Sequence, residues 1–434
     1  MKTTKRLLVA LLAVLLTLTL VACNKDDTGV NIPASQKGSD DFQKNMHQST
    51  SDSLRTVTET DNGFYIQLKG AYVYYIDKAT KNITILCGKP ECEHNDETCN
   101  ARLHAHELWF SGDKLYFDNS TYIMENGQYV NYGLRLYSVD PNGENRRVVQ
   151  KLQFIPSGDT SSWTPYPIQH RGIVYFPYSG ILYAMPLGGD IEKDAVAIWG
   201  EKSESTGMSF NLSAPAYTLW ADGDFMYFMV TNMEQSDGTR KETLFAYDTR
   251  DNSVKQVWQV PDADEVGEWT TTGVSVTQWY IIDGYIYFYL SGGDFWRSDL
   301  NTGETVKLAD THEKTKYGKA IFSDDYLFLI NSTPEYSDGT SHSIVGGQNY
   351  IGGDTIYIFK MNGEFVKELS LNSLYDAYDE LTKCELVFCS GSDIYFMADA
   401  STKVWSGNVG TMNWNRLLYC ISIETGEITQ IFNW

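Results

Sequence analysis

The chain has 434 residues, with 34 Lys and Arg against 56 Asp and Glu, a formal charge of −22. So negative a balance, with no basic run beyond the first six residues, lacks the electrostatic footprint that nucleic acid requires, and nucleic acid is excluded as a partner. At 42 % apolar and 21 % charged residues the chain holds enough core-forming material to exclude disorder over most of its length.

Lys2, Lys5 and Arg6 precede Leu7 to Leu20, a run of apolar and Thr residues. That run is shorter than the roughly 20 residues of a membrane-spanning helix and reads as an export signal. It ends in Leu20-Val21-Ala22-Cys23, where small residues permit cleavage and a thiol follows at once. The tetrapeptide resembles the lipobox of bacterial lipoproteins. The resemblance implies a signal peptide over 1–22, lipidation of Cys23, and residence on the outer face of a bacterial cell membrane through a lipid anchor. Acyl chains, at about 0.8 kcal/mol per buried methylene, would hold even so acidic a chain to the membrane. Residues 23–60 are rich in Ser, Asp, Asn, Thr, Lys and Gln without apolar periodicity and read as a flexible tether.

Over 61–434 helical periodicity is nearly absent, and short aromatic and β-branched runs alternate with Gly, Asp, Asn and Ser. One phrase, a turn pair followed by an aromatic strand, recurs seven times. It is clearest in Gly172-Ile173-Val174-Tyr175-Phe176, Asp224-Phe225-Met226-Tyr227-Phe228 and Gly284-Tyr285-Ile286-Tyr287-Phe288. The central aromatics fall at 65, 116, 175, 227, 287, 328 and 395, on average about 55 residues apart. A second phrase follows, a strand, a tight turn and another strand, as in Ser298-Asp299-Leu300-Asn301-Thr302-Gly303-Glu304. Four strands per repeat predict an all-β, seven-bladed β-propeller of four-stranded antiparallel blades. Burial of both blade faces also accounts for Tyr285-Ile286-Tyr287-Phe288-Tyr289, which is apolar at every position.

These paired phrases resemble propeller domains of unknown function on bacterial surface lipoproteins, similar to the propeller of low-density-lipoprotein-receptor-related protein. The resemblance covers about residues 60–434, rests on the repeat grammar, and brings no catalytic motif; Leu115-Tyr116-Phe117-Asp118 only approaches the Tyr-Trp-Thr-Asp of the animal receptors.

Asp113, Asp222, Asp224, Asp283, Asp325 and Asp393 recur at the first hairpin of the repeats, where turn chemistry accounts for them. The densest polar cluster is Cys87, Cys92, His94 and Cys99, followed by His104 and His106. Three thiols and an imidazole at this spacing admit a disulfide, free thiols, or a structural zinc site closing a loop without a core of its own. Cys384, Cys389 and Cys420 read as buried thiols acting as small apolar groups. No Gly-x-Ser-x-Gly elbow, His-Glu-x-x-His helix or Walker loop is present.

The chain spends extra length at 154–170, 201–217, 231–242, 261–277, 331–353 and 399–415, all on one rim by the strand assignment. These segments carry Trp163, Tyr166, Trp269, Tyr336, Tyr350, Trp405 and Trp414. Rigid aromatics on loops of a rigid scaffold are the means by which sugar or protein surfaces are bound. The expectation is a membrane-anchored extracellular propeller that binds a glycan or protein without catalysis. The rivals are a polysaccharide hydrolase or lyase on the same scaffold, and an envelope scaffold protein.

Overall fold

The computed structural model describes residues 56–433 apart from 69–70, 96–97, 126–127, 153–166, 179–180, 201–216, 235–239, 262–275, 291–292, 312–318, 331–354, 376–379 and 407–408. The described residues belong to one compact unit, Pro33–Trp434. They form seven four-stranded sheets, each an antiparallel meander in which neighbours in sequence are neighbours in the sheet. The blades span 57–85, 108–151, 168–199, 217–259, 276–310, 319–370 and 380–433. The seven aromatic phrases are the second strands, from Gly63–Gln67 in blade 1 to Asp393–Ser406 in blade 7. Two four-residue helices, Ile191–Asp194 and Asn372–Tyr375, complete the described secondary structure.

First strands of adjoining blades pack on one another, as Val57–Glu59 does on Leu108–Ser111. Hydrophobic layers then fill the spaces between blades. Leu134 and Leu136 of blade 2 share one cluster with Val174 and Phe176 of blade 3 and with Met226 and Phe228 of blade 4. A strand with a layer on each face has no solvent side, hence the unbroken burial of Ile286 to Leu290.

The ring closes where blade 7 meets blade 1. Phe64 lies edge-on to Phe388 and Tyr395, with ring centroids 4.5 and 4.7 Å away, inside a layer that includes Ile66, Met397 and Leu418. Lys81 of blade 1 pairs with Asp393 of blade 7, and Ser390 Oγ donates to Glu59 Oε1 at 2.7 Å. All four strands of each of these two blades come from one continuous stretch, so the seam is made by side chains and not by an exchanged strand.

Two boundaries differ from the sequence reading. The innermost strand of blade 1, Val57–Glu59, lies inside the stretch read as tether, because three residues are too few to show a period. The described residues of segments 231–242 and 399–415, read as loops, are strand. Phe225–Glu234 pairs with Arg240–Asp248, and Asp393–Ser406 pairs with Val409–Ser422 in unbroken register. Together with Lys114–Glu125 and Gln128–Val139 of blade 2, these are second-to-third-strand hairpins. Antiparallel alternation makes all three strand pairs extend toward the same end of the propeller.

Candidate metal centre

Between the fourth strand of blade 1, Ile83–Ile85, and the first strand of blade 2, Leu108–Ser111, the chain makes a detour over 86–107. Leu86 continues the blade through its N–H to the Val73 carbonyl at 2.9 Å. Gly88 N–H then donates to the Asn142 carbonyl at 3.1 Å, which docks the outgoing arm on the last turn of blade 2. A tight turn follows, closed by Cys92 N–H on the Lys89 carbonyl at 3.2 Å. The returning arm lies beside blade 1, with Val73 N–H on Ala101 O at 2.9 Å and Leu103 N–H on Ala71 O at 3.0 Å. Gln67 fastens its end, accepting from the Ala105 N–H at 2.7 Å and donating to the Ala105 carbonyl at 2.9 Å.

This path folds the four cluster residues onto one point. One ligand atom from each of Cys87, Cys92, His94 and Cys99 lies within 4.8 Å of every other. His94 Nδ1 is 3.3 Å from Cys99 Sγ, and His94 reaches it from a left-handed backbone, φ 55°. Cys99 is buried and the other three are half-buried. Beneath them Cys99, Ala101 and Leu103 plug a core layer shared by Val73 of blade 1 and by Leu108, Leu115 and Phe117 of blade 2.

Hydrogen bonding sets the thiols apart. Burial raises the Cys87 thiol, but N–H donation from Lys89 and Asn100, helped by Cys92 and Cys99, outweighs it and the net shift is downward. Burial pushes Cys99 up to about 12, against an opposing N–H from Ala101. All three cysteines are free thiols in this structure. Three sulfurs and one imidazole nitrogen form a donor set that can hold a metal ion.

The neighbouring histidines stand outside the group. His106 Nδ1 faces Asp118 Oδ2 at 3.4 Å, and Asp118 is buried with its other oxygen accepting from Glu107 N–H at 2.6 Å. The hydrogen bond to Asp118 holds the His106 imidazolium above its ordinary pKa, against the opposing effect of burial.

Of the other sequence candidates, Cys23, Trp163, Tyr166, Trp269, Tyr336 and Tyr350 lie outside the described residues. Trp405 and Trp414 fall on the long hairpin of blade 7, paired with Gly410 and Ser401. Ser401, the cross-strand partner of Trp414, is an even number of residues from Trp405, which puts both Trp positions on one face of that hairpin. Cys389 and Cys420 are buried in the first and third strands of blade 7, one strand apart. The recurring aspartates sit at turns, where Asp283 has φ 54° and Gly112, Gly223 and Gly391 have φ 63°, 57° and 59°.

No family model matches the chain, and no curated protein matches it. Among solved structures it is similar to the computationally designed Ika8 protein, at 11 % identity over 91 % of this chain and 98 % of that one, TM-score 0.40. BamB from Moraxella catarrhalis aligns at 12 % identity over 86 % and 83 %, TM-score 0.35. Oligogalacturonate lyase in complex with manganese aligns at 10 % identity over 62 % and 71 %, TM-score 0.39.

Proposed function

We propose that the chain is a membrane-anchored extracellular propeller that binds a glycan or protein ligand at one end of the ring without transforming it. The carrying observation is the set of hairpins that outgrow their blades at that end. The paired strands Asp393–Ser406 and Val409–Ser422 have 14 residues each, where the second and third strands of blade 1 have 5. At about 3.3 Å per residue the blade 7 hairpin overreaches a five-residue strand by roughly 30 Å. Strand extensions present side chains on a stiffer frame than loops, which lowers the ordering cost of binding. Lys2 to Cys23 supports the anchor.

The test uses the full chain in mild detergent, screened by thermal shift against glycans and cell-wall fragments. A ligand at a hundred times its dissociation constant adds about 2.7 kcal/mol. Stabilisation by one class, lost in Trp405→Ala or Trp414→Ala, supports the reading. Shortened products from a polysaccharide would replace it with the hydrolase or lyase reading. Unchanged membrane association of Cys23→Ser would remove the anchor.

A further inference from the structure

We propose that Cys87 Sγ, Cys92 Sγ, Cys99 Sγ and His94 Nδ1 bind one Zn²⁺ tetrahedrally, as a closed structural centre that clamps the connection between blades 1 and 2. This does not depend on the ligand-binding reading above. The geometry is close to what the ion requires. With Zn–S near 2.3 Å and Zn–N near 2.0 Å, a tetrahedron has edges of about 3.5 to 3.8 Å. The observed donors lie within 4.8 Å of one another, with the His94–Cys99 edge at 3.3 Å, so shortening the longest separations by about one ångström and opening the His94–Cys99 edge by a few tenths completes the cage. Three of the four ligands come from stretches already fixed by backbone hydrogen bonds. Cys87 is followed by the Gly88 to Asn142 bond, Cys92 closes the Lys89 turn, and Cys99 accepts from Arg102 N–H at 3.1 Å.

The donor chemistry selects the ion. Three sulfurs and one imidazole, with no oxygen ligand in the group, disfavour Mg²⁺ and Ca²⁺ and suit a borderline-soft, four-coordinate cation. Three thiolates and a neutral imidazole on Zn²⁺ leave one net negative charge. The N–H groups of Lys89 and Asn100 on Cys87, and of Ala101 on Cys99, point at the sulfurs that carry it. With four protein ligands no position remains for substrate, so the centre is structural.

Its role follows from where the ligands sit. Cys87 belongs to the outgoing arm, Cys92 and His94 to the far turn, and Cys99 to the returning arm. One ion therefore joins three stretches, and through Cys99 it fixes the plug of Ala101 and Leu103 between the two blades.

The full chain, purified under reducing conditions without chelator, should carry about one zinc per molecule by elemental analysis. Cys92→Ser and His94→Ala should each reduce that to near zero while His106→Gln retains it. Replacing zinc by Co²⁺ in the wild-type chain should give thiolate-to-cobalt charge transfer and the intense d–d bands of a tetrahedral site, a reading that needs no variant to fold. Hydrogen exchange on chelation should quicken in 86–107 and leave blades 4 to 6 unchanged. The proposal is overturned if zinc-loaded wild type retains no stoichiometric metal after gel filtration, or if cobalt gives only weak octahedral bands. Loss of two hydrogens to a disulfide among Cys87, Cys92 and Cys99 in the native chain would overturn it equally.

Discussion

Gly143 and Gly303 occupy equivalent turns between the third and fourth strands of blades 2 and 5, both left-handed, with φ 84° and 75°. A Cβ at Gly303 would meet open space, whereas at Gly143 it would press on the Leu86 carbonyl and lie 3.3 Å from Asn100 Cβ. Gly303→Ala should therefore cost only the backbone penalty, about 1–2 kcal/mol. Gly143→Ala should add about 1–3 kcal/mol of overpacking. Denaturant midpoints of the two variants measure the difference, and equal losses would show that the detour is not seated on this turn. His106 makes a second prediction. Its pKa is raised in the folded state, so the His106–Asp118 pair contributes stability that is fully present below the unfolded value near 6.5 and is lost as pH rises through the folded value. His106→Gln should remove the loss of stability that sets in as pH rises above the ordinary histidine value, read by denaturation at each pH. At this scale the sequence pointed to the four cluster residues, because ligand chemistry lies in residue type and short spacing. It could not show that Asn142, some 50 residues on, receives the detour, or that Asp118 rather than a thiol engages His106.

The strands were legible to different depths. Second strands announced themselves because burial on both faces makes them apolar throughout, as in Tyr227 to Val230. The long hairpins did not, because beyond the blade their composition turns polar and resembles a loop. A signal for these hairpins is nonetheless present in the sequence. Asn126-Gly127 separates the paired Glu125 and Gln128, and Gly407-Asn408 separates the paired Ser406 and Val409. Both dipeptides are strong two-residue hairpin signals. The third–fourth strand turns repeat another device. Gly363 lies against the Leu308 carbonyl of the preceding blade, as Gly143 does on Leu86, and Lys367 Nζ donates to the Glu424 carbonyl at 3.1 Å across the next interface. An independent check on the hairpins is deletion of 401–414 from blade 7. If those residues serve recognition and not folding, the thermal midpoint should stay within a few degrees while ligand stabilisation disappears.

For the whole molecule, the sevenfold count followed from the repeat, but the manner of closure did not, since side-chain seams leave no mark on a self-comparison. Phe64 is wholly buried, edge-on against the stacked Phe388 and Tyr395 rings of blade 7. Phe64→Ala should cost about 3–5 kcal/mol, and native-state hydrogen exchange should quicken first in blades 1 and 7. Uniform quickening through all seven blades would mean that the seam is no weaker than the other interfaces.

A ring fastened this way also has a mechanical direction. Tension on the chain ahead of Thr56 enters through Val57–Glu59, a three-residue strand held by Ile66, Tyr65 and Phe64 on one side. Among the described residues no strand from the far end of the chain shares blade 1 to resist it. Pulling from the N-terminus should therefore part the ring at the junction of its first and last blades, with the other interfaces yielding later. Pulling between two interior blades has no such seam to open.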